Sequence, residues 1–148
     1  MANEFIVKKQ VSIAATPAEV WQALTNPELT KKYFFKCEVH SNWNAGSPIL
    51  FTRKFLWFTF TLKGTIVKVE PEELLVYTLA NTKLFGKPNP DHHSLVTDEL
   101  RCENGKTILS ISDNVGSYEG AEKRYKKSVK GWDTVLTGLK KLLEQNNG

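Results

Sequence analysis

Apolar and polar residues alternate through positions 5–13, where Phe5, Val7, Val11 and Ile13 share one side and Lys9 alone breaks the pattern. A period of two is that of a half-buried strand. The period then changes. Thr16-Pro17-Ala18-Glu19 supplies a capping hydroxyl, a proline suited to the first helical turn and the glutamate of a capping box. Val20, Trp21 and Leu24 continue it as a short helical face. Asn26-Pro27-Glu28 repeats the start signal and leads into Leu29 and the aromatic run Tyr33, Phe34, Phe35. Two short helices joined at Asn26 are predicted.

From Cys37 to Asp113 the chain reads as strands. Residues 38–43 are polar but strand-like, 44–48 turn, and 49–54 form the next strand. Phe58, Phe60 and Leu62 alternate with Thr59, Thr61 and Lys63, giving one apolar and one polar face. At Gly64-Thr65 the alternation slips and Val67 and Val69 take over the apolar side, which predicts a bulge there. After a turn at Glu70-Pro71-Glu72-Glu73, Leu75, Tyr77 and Leu79 alternate with Val76, Thr78 and Ala80. A polar loop over 81–93 follows. Residues 94–102 and 106–113 then pair across Glu103-Asn104-Gly105, since Asn-Gly is a strong hairpin signal.

The last pattern is the clearest. Within residues 119–144, Tyr125, Val129, Trp132, Val135, Leu136, Leu139, Leu142 and Leu143 recur at spacings of three and four, with lysines opposite. Such a helix is roughly 40 Å long and crosses a whole small sheet. Gly131 and Gly138 interrupt it, each at about 1 kcal/mol relative to alanine. They fall nearly on one line of the helix, so either a neighbour packs closely there or they leave space; close packing is the expectation. Strand, two short helices, a run of strands and a long helix make an α+β fold. Its core is a curved antiparallel sheet of about six to seven strands, in a single domain over 1–148.

Composition adds exclusions. With 41% apolar and 24% charged residues the chain is ordinary globular material. The longest apolar run, residues 55–62, is broken by threonines and is far short of the roughly 20 residues a spanning helix needs, so membrane insertion is not expected. Glu4, Lys8 and Lys9 interrupt the start before any signal-like run, which points to a cytoplasmic protein. Cys37 and Cys102 have no CxxC spacing and are expected to be free, buried thiols. The net charge of +4 is concentrated at Lys123, Arg124, Lys126, Lys127 and Lys130, with Lys140 and Lys141 beyond. Such a run suits an anionic partner, but no base-stacking motif accompanies it and nucleic acid is not an expected partner.

Alternation points Phe58, Phe60, Leu75, Tyr77, Leu79, Leu100, Leu109 and Ile111 at the long helix, with Trp132 and Leu136 facing them. These residues either fill a core or line a pocket. Asp98 shares a side with Val96 and Leu100. A buried unpaired carboxylate costs several kcal/mol, so it becomes protonated or finds a partner, with Arg53 and Tyr125 as candidates. Asp98 is then a polar anchor at the end of an apolar pocket, unless a strand twist delivers it to solvent. His92-His93 beside Asp91 lacks HxH or HxxxH spacing and no metal site is expected. Neither a GxSxG elbow nor a phosphate-binding glycine motif is present, so no catalytic constellation and no cofactor are assigned.

Several segments taken in order carry a resemblance: residues 16–25 with Pro27-Glu28, then 46–49, 64–71, 74–78, 96–100, 105–109, and Gly131-Trp132 followed by 139–142. Through them nearly the whole chain resembles the activator-of-Hsp90-ATPase-homologue-like proteins, a branch of the START and birch-pollen-allergen superfamily with the helix-grip fold. That resemblance implies a hydrophobic cavity between sheet and C-terminal helix, where many members bind lipids, sterols, polyketides or plant hormones. It also marks Asp98 as a departure, because the family usually has an aromatic or apolar residue there. The leading expectation is a binding module for an apolar or amphipathic small molecule, with Phe58, Phe60, Leu75, Tyr77, Asp98, Leu100, Leu109, Tyr125, Trp132 and Leu136 as cavity candidates. One rival is a stress-linked chaperone cofactor docking through Lys126, Lys127 and Lys130. The other is a cyclase or hydrolase, which requires Asp98, Tyr77 or Tyr125 to converge on a cavity with a shifted pKa.

Overall fold

Local capping signals set the first part of the chain. The computed structural model describes residues 5–80, 93–117 and 120–146, the side chains of residues 55 and 146 excepted. After β1 (Phe5–Ile13), the Glu19 N–H donates to Thr16 Oγ1 at 3.1 Å while Glu19 Oε1 accepts from the Thr16 N–H at 3.1 Å. This capping box starts α1 (Pro17–Thr25). Asn26 then serves two helices. Its N–H donates to the Gln22 carbonyl at 2.8 Å, ending α1, and its Oδ1 accepts from the Glu28 N–H at 2.9 Å, starting α2 (Pro27–Tyr33).

The strands that follow are β2 (Glu38–Ser41), β3 (Pro48–Phe55), β4 (Phe58–Glu70), β5 (Leu74–Ala80), β6 (His93–Glu103) and β7 (Lys106–Gly116). With β1 they form one curved antiparallel sheet in the order β1-β7-β6-β5-β4-β3-β2. Asn104 and Gly105 turn β6 into β7 with φ of 53° and 79°, the left-handed pair that a tight hairpin requires. The polar loop expected over 81–93 lies outside the described residues, except for His93, which opens β6.

One irregularity differs from expectation. Pairing of β4 with β5 shifts between Ile66 and Lys68, leaving Val67 exposed, so the bulge lies beyond Gly64-Thr65. Gly64 has a different cause. A Cβ there would stand 1.6 Å from the Thr78 carbonyl oxygen, so only glycine lets β5 approach this closely.

The long helix, α3 (Ala121–Asn146), lies across β1 and β7 and against α2. Lys9, the residue that broke the β1 pattern, pairs with Asp133 at 2.9 Å. Lys140 Nζ donates to the Ser12 carbonyl at 2.5 Å, and the Ala14 N–H donates to Glu144 Oε2 at 2.9 Å. The helix glycines divide between the two alternatives. A Cβ on Gly138 would meet Tyr33 Cβ at 3.1 Å, which is close packing, whereas one on Gly131 would meet only Phe35 Cζ at 3.7 Å. Both cysteines are free, but only Cys37 is buried; Cys102, near the exposed end of β6, corrects the expectation of two buried thiols.

Candidate functional site

The inward faces of the sheet meet α3 around a small interior cavity. Leu75 and Tyr77 reach it from β5, Asp98 from β6, and Leu109 and Ile111 from β7. Trp132, Leu136 and Leu139 close it from α3, and Thr30 and Tyr33 from α2. Its volume is about 20 Å³, room for one water molecule. Small-molecule sites run to roughly 300–1,000 Å³, so the interior between sheet and helix is packed.

Asp98 is inside. It is 3% exposed, it lies opposite Leu75 and Ile111 on the neighbouring strands, and its Oδ1 has no hydrogen-bond partner among the described residues. Burial, and then the charge of Asp113, push its carboxyl up to about 7. Tyr125, one partner considered for it, instead packs its ring on Phe5 with centroids 5.8 Å apart. Arg53 likewise leaves Oδ1 unmatched.

A second buried carboxylate escaped the sequence reading. Asp113 Oδ2 accepts from Trp132 Nε1 at 2.8 Å and from Ser128 Oγ at 2.6 Å, tying β7 to α3, while its Oδ1 is buried without a partner among the described residues. The signal was available, because Asp113 has the same parity as Leu109 and Ile111. Two phenols complete the polar set. Tyr33 Oη donates to the Ala23 carbonyl at 2.6 Å, and burial followed by the Asp98 charge raises its pKa far beyond neutrality. Burial and then the charges of Asp98 and Asp113 hold Tyr77 neutral in the same way.

Outside this interior lies an open groove of about 300 Å³, bounded by Phe34, Phe35, Lys127, Ser128 and Gly131. Phe34, Trp132 and Val135 line both the groove and the interior cavity, so they form a shared wall. In that wall the Phe34 ring stacks on Phe51 with centroids 5.0 Å apart and meets Trp132 edge-on at 6.0 Å. The absence of a Cβ at Gly131 keeps the groove open beside Phe35.

Six of the expected cavity residues do line the interior: Leu75, Tyr77, Asp98, Leu109, Trp132 and Leu136. Leu100 is buried but lies off the cavity. Phe58 and Phe60 are corrections. They lie on the same side of β4 as the buried Ile66, but β4 is 13 residues long and its first part extends beyond the cover of α3, so Phe58 is exposed and Phe60 half-buried. Tyr125 is the third correction, since it packs on Phe5 off the cavity; of the three residues weighed for a cyclase or hydrolase, Asp98 and Tyr77 do line the cavity, and burial raises the pKa of both. Lys126, Lys127 and Lys130 are exposed on α3, with Lys126 paired to Glu122 at 3.5 Å. Among the described residues no three His, Cys, Asp or Glu side chains gather as metal ligands; His92 lies outside them.

Comparison with known proteins gives the following. Residues 14–144 match the family described as activator of Hsp90 ATPase homolog 1-like protein. No curated protein matches the chain. A solution structure from Cytophaga hutchinsonii is 32% identical, covers 99% of this chain and 98% of its own, and superposes with a TM-score of 0.79. A crystal structure from Mesorhizobium loti is 22% identical, with 95% and 97% covered and a TM-score of 0.76. The Aha1 dimer from Colwellia psychrerythraea is 18% identical, with 97% and 98% covered and a TM-score of 0.73. At these identities the last two bear on fold alone.

Proposed function

The chain belongs to the activator of Hsp90 ATPase homolog 1-like family, and from that premise we propose that it binds an amphipathic small molecule through the groove beside α3. One observation carries this reading. The groove and the interior cavity share the Phe34–Trp132–Val135 wall, and behind that wall lies a buried carboxyl with an unmatched oxygen. Rotation of the Phe34 ring away from Phe51 joins the two spaces and brings an entering polar group to Asp98. With its carboxyl near neutrality, Asp98 serves such a group as hydrogen-bond donor or acceptor. Lys127 and Ser128 at the outer rim favour a polar or anionic head there.

The test is titration with 1-anilinonaphthalene-8-sulfonate, an aromatic body carrying one anionic group, in a Trp57→Phe background that removes the most exposed indole signal. Saturable dye fluorescence with quenching of Trp132 is expected, while near-UV circular dichroism stays native. Gly131→Leu fills the groove and restores helix propensity, so it abolishes binding in a folded protein. No saturable binding, or binding indifferent to Gly131→Leu, rejects the proposal.

A second reading is favoured by the family and by the exposed lysines of α3: docking on an acidic surface of an Hsp90-class chaperone through Lys126, Lys127 and Lys130. Charge reversal at all three abolishes capture of the purified chaperone if this surface is used. Unchanged capture excludes it.

A further inference from the structure

The most exposed apolar side chains of the described residues line neither the groove nor the cavity and lie at the apex of the β3–β4 hairpin. Leu56 is 93% exposed, Trp57 84% and Phe58 55%. Phe55 and Phe58 pair, so Leu56 and Trp57 form a two-residue turn. Such turns favour Asn-Gly or Gly-containing pairs, yet here leucine takes a left-handed φ of 38° and tryptophan follows it. Neither turn chemistry nor core packing accounts for these two residues, because the apex extends beyond the part of the sheet that α3 covers.

Charge in this lobe is one-sided. Between Glu38 and Glu70 the sequence has no aspartate or glutamate and carries Arg53, Lys54, Lys63 and Lys68. Lys54 stands exposed two residues before the apex, opposite Thr59. Glu70 draws Lys68 into an ion pair at 3.5 Å at the far end of the hairpin, and Glu38 on β2, opposite Thr52, stands 3.4 Å from His40; the hairpin strands themselves carry no acid between Pro48 and Val69.

We propose that the β3–β4 apex docks the protein on an anionic lipid surface, with Leu56 and Trp57 entering the headgroup region and Lys54 meeting the lipid phosphates. A protein partner fits these observations less well. Stable protein interfaces bury roughly 800 Å² per partner, and two side chains on a narrow convex turn present no such area. A fluid bilayer needs no complementary shape. Tryptophan prefers the membrane interface, and a hairpin whose charges between Pro48 and Val69 are all basic complements anionic headgroups. The sequence argued against membrane insertion because no apolar run is long enough to span, and no helix among the described residues does so. An apex that enters only the headgroup layer escapes that criterion. One small apolar anchor with a few cations gives reversible, salt-sensitive docking.

Flotation of the full chain with vesicles of phosphatidylcholine alone, or of phosphatidylcholine and phosphatidylglycerol in equal parts, tests this. Partitioning onto the phosphatidylglycerol vesicles is expected, with blue-shifted tryptophan emission that brominated acyl chains quench. The double variant Leu56→Ser, Trp57→Ser lowers partitioning by about tenfold or more with unchanged thermal unfolding. Lys54→Gln lowers it about fivefold at low salt. No partitioning overturns the proposal, as does partitioning that the double variant leaves intact. Apex-dependent self-association in sedimentation, without vesicle binding, overturns it in favour of a second copy of the chain.

Discussion

Asp98 makes the sheet–helix interior sensitive to pH in an unusual direction. Folding lifts its carboxyl from 3.8 to about 7, chiefly by burial and next by the charge of Asp113. Between those values the folded chain keeps a proton that the unfolded chain releases. Stability therefore falls as pH rises through this window, by about 1.4 kcal/mol per pH unit, and levels off above the folded value. Over the whole window Asp98 costs the fold about 4 kcal/mol, a large share of the 5–15 kcal/mol typical of a domain. The other groups facing it are Asp113 from β7 and the phenols of Tyr77 and Tyr33, which burial keeps neutral. Asp98→Asn keeps the shape and removes the charge. The variant's stability minus that of the parent is expected to be flat below about pH 4, to climb to about 4 kcal/mol near pH 7, and then to plateau. Taking the difference cancels Glu28 and Glu144, whose lowered pKa values act in acid and in the opposite sense. Urea unfolding followed by tryptophan fluorescence from about pH 4 to about pH 8 measures it. A difference that does not change with pH would refute the assignment of Asp98 as a buried, unmatched acid.

Other consequences are local. Gly131→Ala should stabilise by about 0.5–1 kcal/mol, since helix propensity is gained and the new methyl meets only Phe35 at ordinary distance. Gly138→Ala should go the other way in the same denaturant assay. Its Cβ falls 3.1 Å from Tyr33 Cβ, and Tyr33 is held at its other end by the bond to Ala23, so repacking outweighs the propensity gain. Tyr33→Phe removes that buried bond and should cost about 1–2 kcal/mol in thermal or urea unfolding. Trp132→Phe deprives Asp113 of its indole donor and should cost about 2–3 kcal/mol, more than the lost ring area alone, read by urea unfolding with circular dichroism.

What the sequence revealed was what neighbours along the chain decide. The Thr16 capping box, the double duty of Asn26 and the Asn104-Gly105 turn each depend on residues within four positions of one another, and each forms as read. The bulge expected at Gly64-Thr65 lies instead between Ile66 and Lys68, and Gly64 answers a backbone approach from Thr78, fourteen positions away, which alternation does not encode. A period of two tells which side a residue faces and not whether anything covers that side. Phe60 therefore had the right side and the wrong surroundings. The groove was illegible for a related reason: Phe34 and Phe35 come from the end of α2, and Lys127 and Gly131 from α3, so only the fold brings them together.

The contrast between the two interior carboxylates bears most directly on function. Asp113 has a structural explanation: one oxygen receives the Trp132 indole and the Ser128 hydroxyl, and the bonds fix α3 against β7. Charged acceptors make the stronger hydrogen bonds, which offsets the cost of burying the group. Asp98 lies on the adjacent strand, facing the same interior; its Oδ1, like that of Asp113, is buried without a partner among the described residues, and it is the carboxyl whose pKa burial raises to about 7. For stability alone, an apolar residue in its place serves better, because an unpaired buried charge is among the most unfavourable features a core can hold. The proposed binding role would give that cost a purpose, since Asp98 lies behind the aromatic wall that the interior shares with the groove. Asp98→Leu separates the two explanations: a more stable protein that no longer binds the anilinonaphthalene dye supports a ligand role, whereas a more stable protein with unchanged dye binding leaves Asp98 without one.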